Sequence, residues 1–233
     1  MESLGHNKQM IDWQHIDTVL LDMDGTLLDL HFDNYFWLTH LPRRYAEAHG
    51  VDLDTAHRQL AAQYRAHEGT LQWYCLEHWS DFLKIDIVKL KHEVKDKIQV
   101  RPFVSDFLQR LQALDKKLIL ITNAHPQSLD IKLEITSIDR WLDMVISSHE
   151  FQEPKEAQAF WHQLQQREHF DKARTLFIDD TLRVLRSAER FGIAHLLCIH
   201  QPDSRSEHRQ ITEYPAIDHF DEIMPPPAPE QSH

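Results

Sequence analysis

Two aspartates, Asp22 and Asp24, stand at the end of an apolar run in the segment Leu20-Leu21-Asp22-Met23-Asp24-Gly25-Thr26-Leu27-Leu28-Asp29. Thr18 to Leu21 reads as a short buried strand, and Gly25 supplies the turn that ends it. Residues i and i+2 of a strand project to one face, so both carboxylates are expected in the same cavity. Two anions a few ångströms apart at the mouth of a buried strand persist only if a cation lies between them or one carries a proton. Either remedy is chemistry, a hard metal centre or an acid–base pair. The plain alternative is an acidic turn closing a hairpin, and the apolar residues on both sides of the turn argue against it.

Two more predicted strands end the same way. Lys117 to Ile121, apolar from Leu118 on, runs into Thr122-Asn123, and Thr175 to Ile178 runs into Asp179-Asp180. Taken singly, Thr122-Asn123 reads equally well as a helix-capping turn, Asp179-Asp180 as the cap of the following helix, and Lys155 as a solvated helix residue. Helices over Pro102–Leu114, Pro126–Ser137, Lys155–His169 and Thr181–Phe191 alternate with these strands, with Met144–Ile146 and with Ala194–Ile199. That alternation predicts an α/β fold, a doubly wound and mostly parallel sheet covered on both faces. In such sheets ligands bind at the carboxyl ends of the strands, so Asp22, Asp24, Thr122, Asn123, Asp179 and Asp180 are expected to converge. One cation would relieve both acidic pairs.

Between the first strand and the rest lies a run of helical patterns. The spacing predicts helices over Asp33–His49, with Asp33 as cap and Gly50 as stop, and over Asp54–His67, Thr70–Leu83 and Asp86–Ile98. Residues 1–30 and 101–224 are thus expected to form the α/β core, 31–100 an inserted helical unit, and the proline-rich 225–233 a disordered tail. Residues 1–15 read as a loose lead-in.

Composition narrows the function. A formal net charge of −12 speaks against a nucleic-acid partner, and no apolar run reaches the length of a membrane span. The start of the chain lacks the order of a signal peptide, and two cysteines give no disulfide framework, so a cytoplasmic protein is expected. None of the 18 histidines forms an i, i+4 pair, and neither HExxH nor CxxC occurs, so no zinc motif is present and most histidines are expected on the surface. With five glycines and no GxGxxG or GxxxxGK[ST], a glycine-rich phosphate cradle is excluded as the main site.

In order along the chain, an apolar strand entering DxDGTLLD, the strand ending Thr122-Asn123, Lys155 within Glu153-Pro154-Lys155-Glu156, and Phe177-Ile178-Asp179-Asp180-Thr181 resemble the four motifs of the haloacid dehalogenase-like phosphohydrolases. The helical insertion resembles the α-helical cap of that superfamily. Leu28 to Trp37, Trp73-Tyr74-Cys75 and Thr122 to Pro126 look most like bacterial GMP/IMP 5′-nucleotidases. The resemblance implies Asp22 as the nucleophile that forms an aspartyl-phosphate and Asp24 as acid and then base. It implies Mg²⁺ held by Asp22, the Asp24 backbone carbonyl and Asp180, with Asp179 direct or through water. Thr122 and Lys155 would offset developing charge, and Asn123 would orient substrate or phosphate. The expected substrate is a small phosphorylated metabolite, a purine nucleotide, with sugar phosphates as the alternative.

Some positions depart from the commoner pattern. Many members carry a second acidic residue four positions after a Gly-Asp pair, whereas here the pair is adjacent and Val184 holds the later position. Dehalogenases of the same fold lack a carboxylate at the position of Asp24, so its presence favours phosphate esters. A phospho-aspartate receiver uses similar groups but in another order and without a helical insertion. In the insertion Phe36, Trp37, Trp73, Tyr74 and Trp79 could stack a purine and Arg43 or Arg44 could read it, although aromatic residues at helical spacing more often fill their own core.

Overall fold

The strands that end in polar residues lie side by side. The computed structural model describes residues 10–227. One six-stranded sheet contains β1 (Thr18–Leu21), β2 (Lys117–Thr122), β3 (Met144–Ser147), β4 (Thr175–Asp179), β5 (His195–Ile199) and β6 (Ala216–Ile217), in the order β3-β2-β1-β4-β5-β6. Every pairing is parallel. The chain adds strands on one side of β1 and then on the other, which makes β1 the switch point where an open sheet binds ligands. Leu21 is in register with Leu120 of β2 and Ile178 of β4, so the residues that follow these three strands emerge at one level.

Alternation along each strand explains both layers. Val19, Leu21, Leu120 and Ile178 pack on one face with Phe107, Leu108 and Leu111 of α7 (Val104–Ala113). Leu20, Ile119, Ile121 and Phe177 pack on the other face with α9 (Gln158–Arg167) and α10 (Leu182–Phe191). Burial on both faces is why these strands read as continuous apolar runs.

The insertion contains α1 (His31–Tyr35), α2 (Leu41–His49), α3 (Leu53–His67), α4 (Leu71–Tyr74), α5 (Leu76–Leu83) and α6 (Ile87–Glu93). Three predicted helices are broken here, and the expected Asp86–Ile98 helix stops at Glu93 before a 3-10 turn at Lys95–Lys97. The expected Asp33–His49 helix begins at His31 and passes through a π turn at Phe36–His40 before α2. Pro42 has no N–H for the carbonyl four residues back, and the wider turn accommodates it. Asp33 therefore lies inside α1, while the Asp29 carboxylate accepts from His31 N. The expected Thr70–Leu83 helix breaks at Cys75, whose extended backbone separates α4 from α5 and whose thiol accepts from His78 N. Lys155 and Thr181 precede their helices rather than starting them.

Trp79 is fully buried with Leu60 and Leu76, and Tyr64 and Trp37 stand edge-on to it at 5.5 and 5.8 Å. The chain ends meet the core. Trp13 Nε1 donates to Ile223 O, and the Pro225 carbonyl accepts from Arg110 Nη1 although both segments were expected to be loose. Residues 1–9 and 228–233, the rest of the expected lead-in and tail, lie outside the described residues. Among the described residues no helix is long and apolar enough to cross a membrane.

Candidate active site

A cavity of about 420 Å³ opens at the carboxyl ends of β1, β2 and β4, under the helical insertion. Asp22, Asp24, Thr122, Asn123, Lys155, Asp179 and Asp180 all line it, so the seven residues singled out in the sequence meet in one place.

Lys155 is the hub. Its ammonium, 2 % exposed, donates to Asp22 Oδ1 at 2.6 Å, to Asp179 Oδ2 at 2.7 Å and to the Ile121 carbonyl at 3.1 Å. Burial would pull its pKa down, but the Asp179 and Asp22 carboxylates outweigh that and hold it above the ordinary lysine value. Thr26 Oγ1 donates to Asp22 Oδ2 at 3.0 Å, and Thr181 N donates to Asp179 Oδ1 at 2.7 Å. Asp180 has less support: Thr181 Oγ1 donates to it at 3.1 Å. Burial, reinforced by the neighbouring Asp22 charge, pushes Asp180 up to about 7, and burial also raises Asp179 well above the usual carboxylate range.

Oxygens of Asp22, Asp179 and Asp180 lie within 4.8 Å of one another. Three carboxylates with no nitrogen or sulfur among them form a donor set for a hard cation, and two of the three carry raised pKa values that such a cation would reverse. The residues present fit a divalent metal. Gly25 makes the approach possible: its φ is +87°, and a Cβ there would stand 2.9 Å from the Asp180 carboxylate.

Asp24 sits in a second charge group that the sequence reading missed. Lys132 of α8 (Pro126–Thr136) donates to Asp24 Oδ1 at 2.6 Å and to Asp33 Oδ2 at 2.7 Å, and Lys91 of α6 donates to Asp33 Oδ1 at 2.9 Å. Burial lifts Asp24 to about 6 against the pull of Lys132, whereas Lys132 and Lys91 together overcome burial and hold Asp33 near 2. The signal for these lysines was faint. Buried partners from three separate helices share no spacing, and a lone lysine on a helix reads as solvated.

Thr122 Oγ1 accepts from Ala124 N at 3.0 Å, which leaves its hydroxyl hydrogen free for the cavity. Both ends of the Asn123 amide are engaged: Oδ1 accepts from Lys155 N at 2.9 Å, and Nδ2 donates to Glu156 Oε2 at 3.0 Å. Tyr74 OH, from the insertion, donates to Glu156 Oε1 at 2.9 Å. Of the aromatic candidates Trp37, Trp73 and Tyr74 line the cavity, while Phe36 and Trp79 are wholly buried in the core. Neither Arg43 nor Arg44 lines it; Arg44 pairs with Glu47 and Glu93 instead. The cavity's arginine is Arg183, paired with Glu68 at 2.7 Å.

The family model of the haloacid dehalogenase-like hydrolases matches residues 16–192. The chain belongs to this family. The GMP/IMP nucleotidase YrfG of Escherichia coli (strain K12) is 42% identical to this hydrolase over 215 residues, 92% of this chain and 97% of the relative. Among solved structures, a HAD phosphatase from Thermococcus onnurineus superposes with a TM-score of 0.74 at 19% identity, over 89% of this chain and 96% of that one. The putative HAD-hydrolase YfnB from Bacillus subtilis, solved bound to magnesium, superposes with a TM-score of 0.62 at 18% identity, over 89% of this chain and 96% of that one. These two show the shared fold of the hydrolase.

Proposed function

We propose that this hydrolase is a Mg²⁺-dependent phosphomonoesterase that converts the purine nucleoside 5′-monophosphates GMP and IMP to nucleoside and phosphate through an aspartyl-phosphate on Asp22. The observation that carries the chemistry is the meeting of Asp22, Asp179, Asp180 and Lys155 beside Asp24 in one cavity. The substrate follows the relative from Escherichia coli, at 42% identity over nearly the whole chain.

An Asp22 oxygen attacks phosphorus, the bond from phosphorus to the 5′ oxygen breaks, and the departing oxygen takes a proton from Asp24. Lys132 occupies Asp24 Oδ1, which leaves Oδ2 for that transfer. With its pKa near 6, Asp24 is placed to give a proton and later to take one. In the second half Asp24 accepts the proton of a water whose oxygen bonds to phosphorus as the Asp22–phosphorus bond breaks, which restores the carboxylate.

Repulsion is the obstacle. At an effective dielectric near 20, each pair of like unit charges about 4 Å apart costs about 4 kcal/mol. Lys155 and the Thr122 hydroxyl meet part of that cost. Mg²⁺ held by Asp22, Asp179, Asp180 and the Asp24 carbonyl would supply the remaining positive charge. Asn123 fixes the backbone at Lys155 and so aims its ammonium. Residues 1–30 and 101–224 act as the catalytic unit and 31–100 as the cap, where Trp37, Trp73 and Tyr74 offer flat surfaces to the base. Cys75 and Cys198 are free thiols, which suits the cytoplasm.

A panel of phosphorylated metabolites assayed with Mg²⁺ tests this reading, with Asp22→Asn as an inactive control. GMP and IMP are expected to give the highest kcat/KM. Equal or better turnover of sugar phosphates would remove the nucleotidase assignment, and activity surviving in Asp22→Asn would remove the nucleophile.

A further inference from the structure

A second group of ligand atoms gathers at the edge of the catalytic cavity, whose lining His125 shares, where the insertion meets the loop after β2. Cys75 Sγ, a Glu77 carboxylate oxygen and a His125 ring nitrogen lie within 4.8 Å of one another. Cys75 is the break between α4 and α5, Glu77 is in the first turn of α5, and His125 caps α8. The Nε2 of His125 is 3.5 Å from Glu77 Oε2. A tetrahedral nitrogen–oxygen edge around zinc, with bonds of about 2.0–2.1 Å, spans about 3.3 Å. The three residues line an adjoining cavity of about 420 Å³ together with His149, and His125 lines both cavities.

His149 adds an unpartnered nitrogen to the surroundings of this pocket. Its ring stands edge-on to that of His125, with centroids 5.0 Å apart. Its Nε2 is buried and has no hydrogen-bond partner. A thiol, an imidazole and a carboxylate are a borderline-soft donor set, unlike the all-oxygen centre next door.

We propose that Cys75, Glu77 and His125, in a pocket that His149 also lines, bind a thiophilic divalent cation of the zinc class that pins the helical insertion to the loop after β2. The ligands are ready for it at small expense. Cys75 Sγ already accepts from His78 N at 3.4 Å, and a thiolate accepts better than a thiol. Binding through His125 Nε2 moves the ring proton to Nδ1 and gives up only the 3.4 Å contact from Gln127 N. Tyr74, the neighbour of Cys75, holds Glu156, and Glu156 holds Asn123. A cation at Cys75 therefore fixes the insertion in its seated position. On the phosphatase reading, which this consequence alone rests on, turnover then slows because product leaves past a fastened cap.

Co²⁺ is the probe, because a cobalt–thiolate bond gives a near-ultraviolet charge-transfer band that oxygen ligands do not. The full chain is titrated with Co²⁺ in excess Mg²⁺, which occupies the carboxylate centre. One equivalent is expected to bind with the band present, and Zn²⁺ is expected to displace it. Cys75→Ser, which keeps a capping side chain for α5, is expected to abolish the band. Glu77→Gln, at a largely exposed position, is expected to weaken Co²⁺ at least about tenfold. Absence of the band, or its survival in Cys75→Ser with the far-ultraviolet spectrum unchanged, would overturn the site whatever the enzyme hydrolyses.

Discussion

Lys155 neutralises two buried carboxylates and leaves Asp180 to a single threonine hydroxyl, and that imbalance has a measurable pH signature. Burial and the Asp22 charge hold Asp180 near 7 in the folded chain, against its ordinary 3.8. Between those values the unfolded chain has ionised Asp180 while the folded chain still holds the proton. Its contribution to stability is therefore full below about pH 4 and is lost as pH rises through about 7. Asparagine titrates in neither state. In EDTA, Asp180→Asn is expected to gain stability on the wild type between about pH 4 and about pH 7, by on the order of 2 kcal/mol, read by urea unfolding. With excess Mg²⁺ the order reverses at the upper pH, since the variant has lost a ligand. A difference that does not change with pH would place Asp180 outside the coupled group. At this scale the sequence was informative where chemistry forces a residue type onto a strand end, as at Asp22, Thr122 and Asp179. It was silent on Lys91 and Lys132 and read Asp33 only as a helix cap, because a buried ion pair between distant helices leaves no periodicity behind.

Helices that read as separate amphipathic rods are joined by those charges. α6 brings Lys91, α1 brings Asp33 and α8 brings Lys132, and the line of contacts ends on Asp24. The apolar faces of these helices were visible in the sequence, and the breaks at Pro42 and Cys75 were not. A proline two residues into a helix usually starts one, whereas here a π turn carries the chain through it. Lys132→Met would leave Asp24 and Asp33 sharing a buried space with only Lys91 opposite. Removing one partner of a buried pair costs about 3–5 kcal/mol, far more than the pair itself contributes. The variant is expected to lose that much in urea unfolding, and Asp33→Asn added to it is expected to restore part of the loss. Turnover should stay low in the double variant, since nothing then orients Asp24. Recovery of kcat together with stability would mean that Lys132 matters only for folding.

Across the whole chain, the insertion shares its core with the sheet. Leu60, Leu76 and Trp79 belong to the same buried cluster as Val19, Leu21 and Phe107, with Phe32 and Phe36 between them. An insertion with its own separate core would melt alone, and one that continues the core of the sheet would melt with it. Trp79 decides between these. It is fully buried, and Trp37, Tyr64 and Trp73 all pack on it edge-on. Trp79→Ala opens a large cavity and is expected to cost about 3–5 kcal/mol. If the core is continuous, that loss moves the entire urea transition, and tryptophan fluorescence and far-ultraviolet circular dichroism shift together with the slope of the transition kept. A fluorescence transition that separates from the circular dichroism transition would show that the chain does not unfold as one unit. Coincident curves would mean that the surface offered to the substrate is as stable as the strands that hold Asp22, so that opening for turnover is rigid-body movement about the chain crossings near Leu30 and Val100, without local melting of the helices.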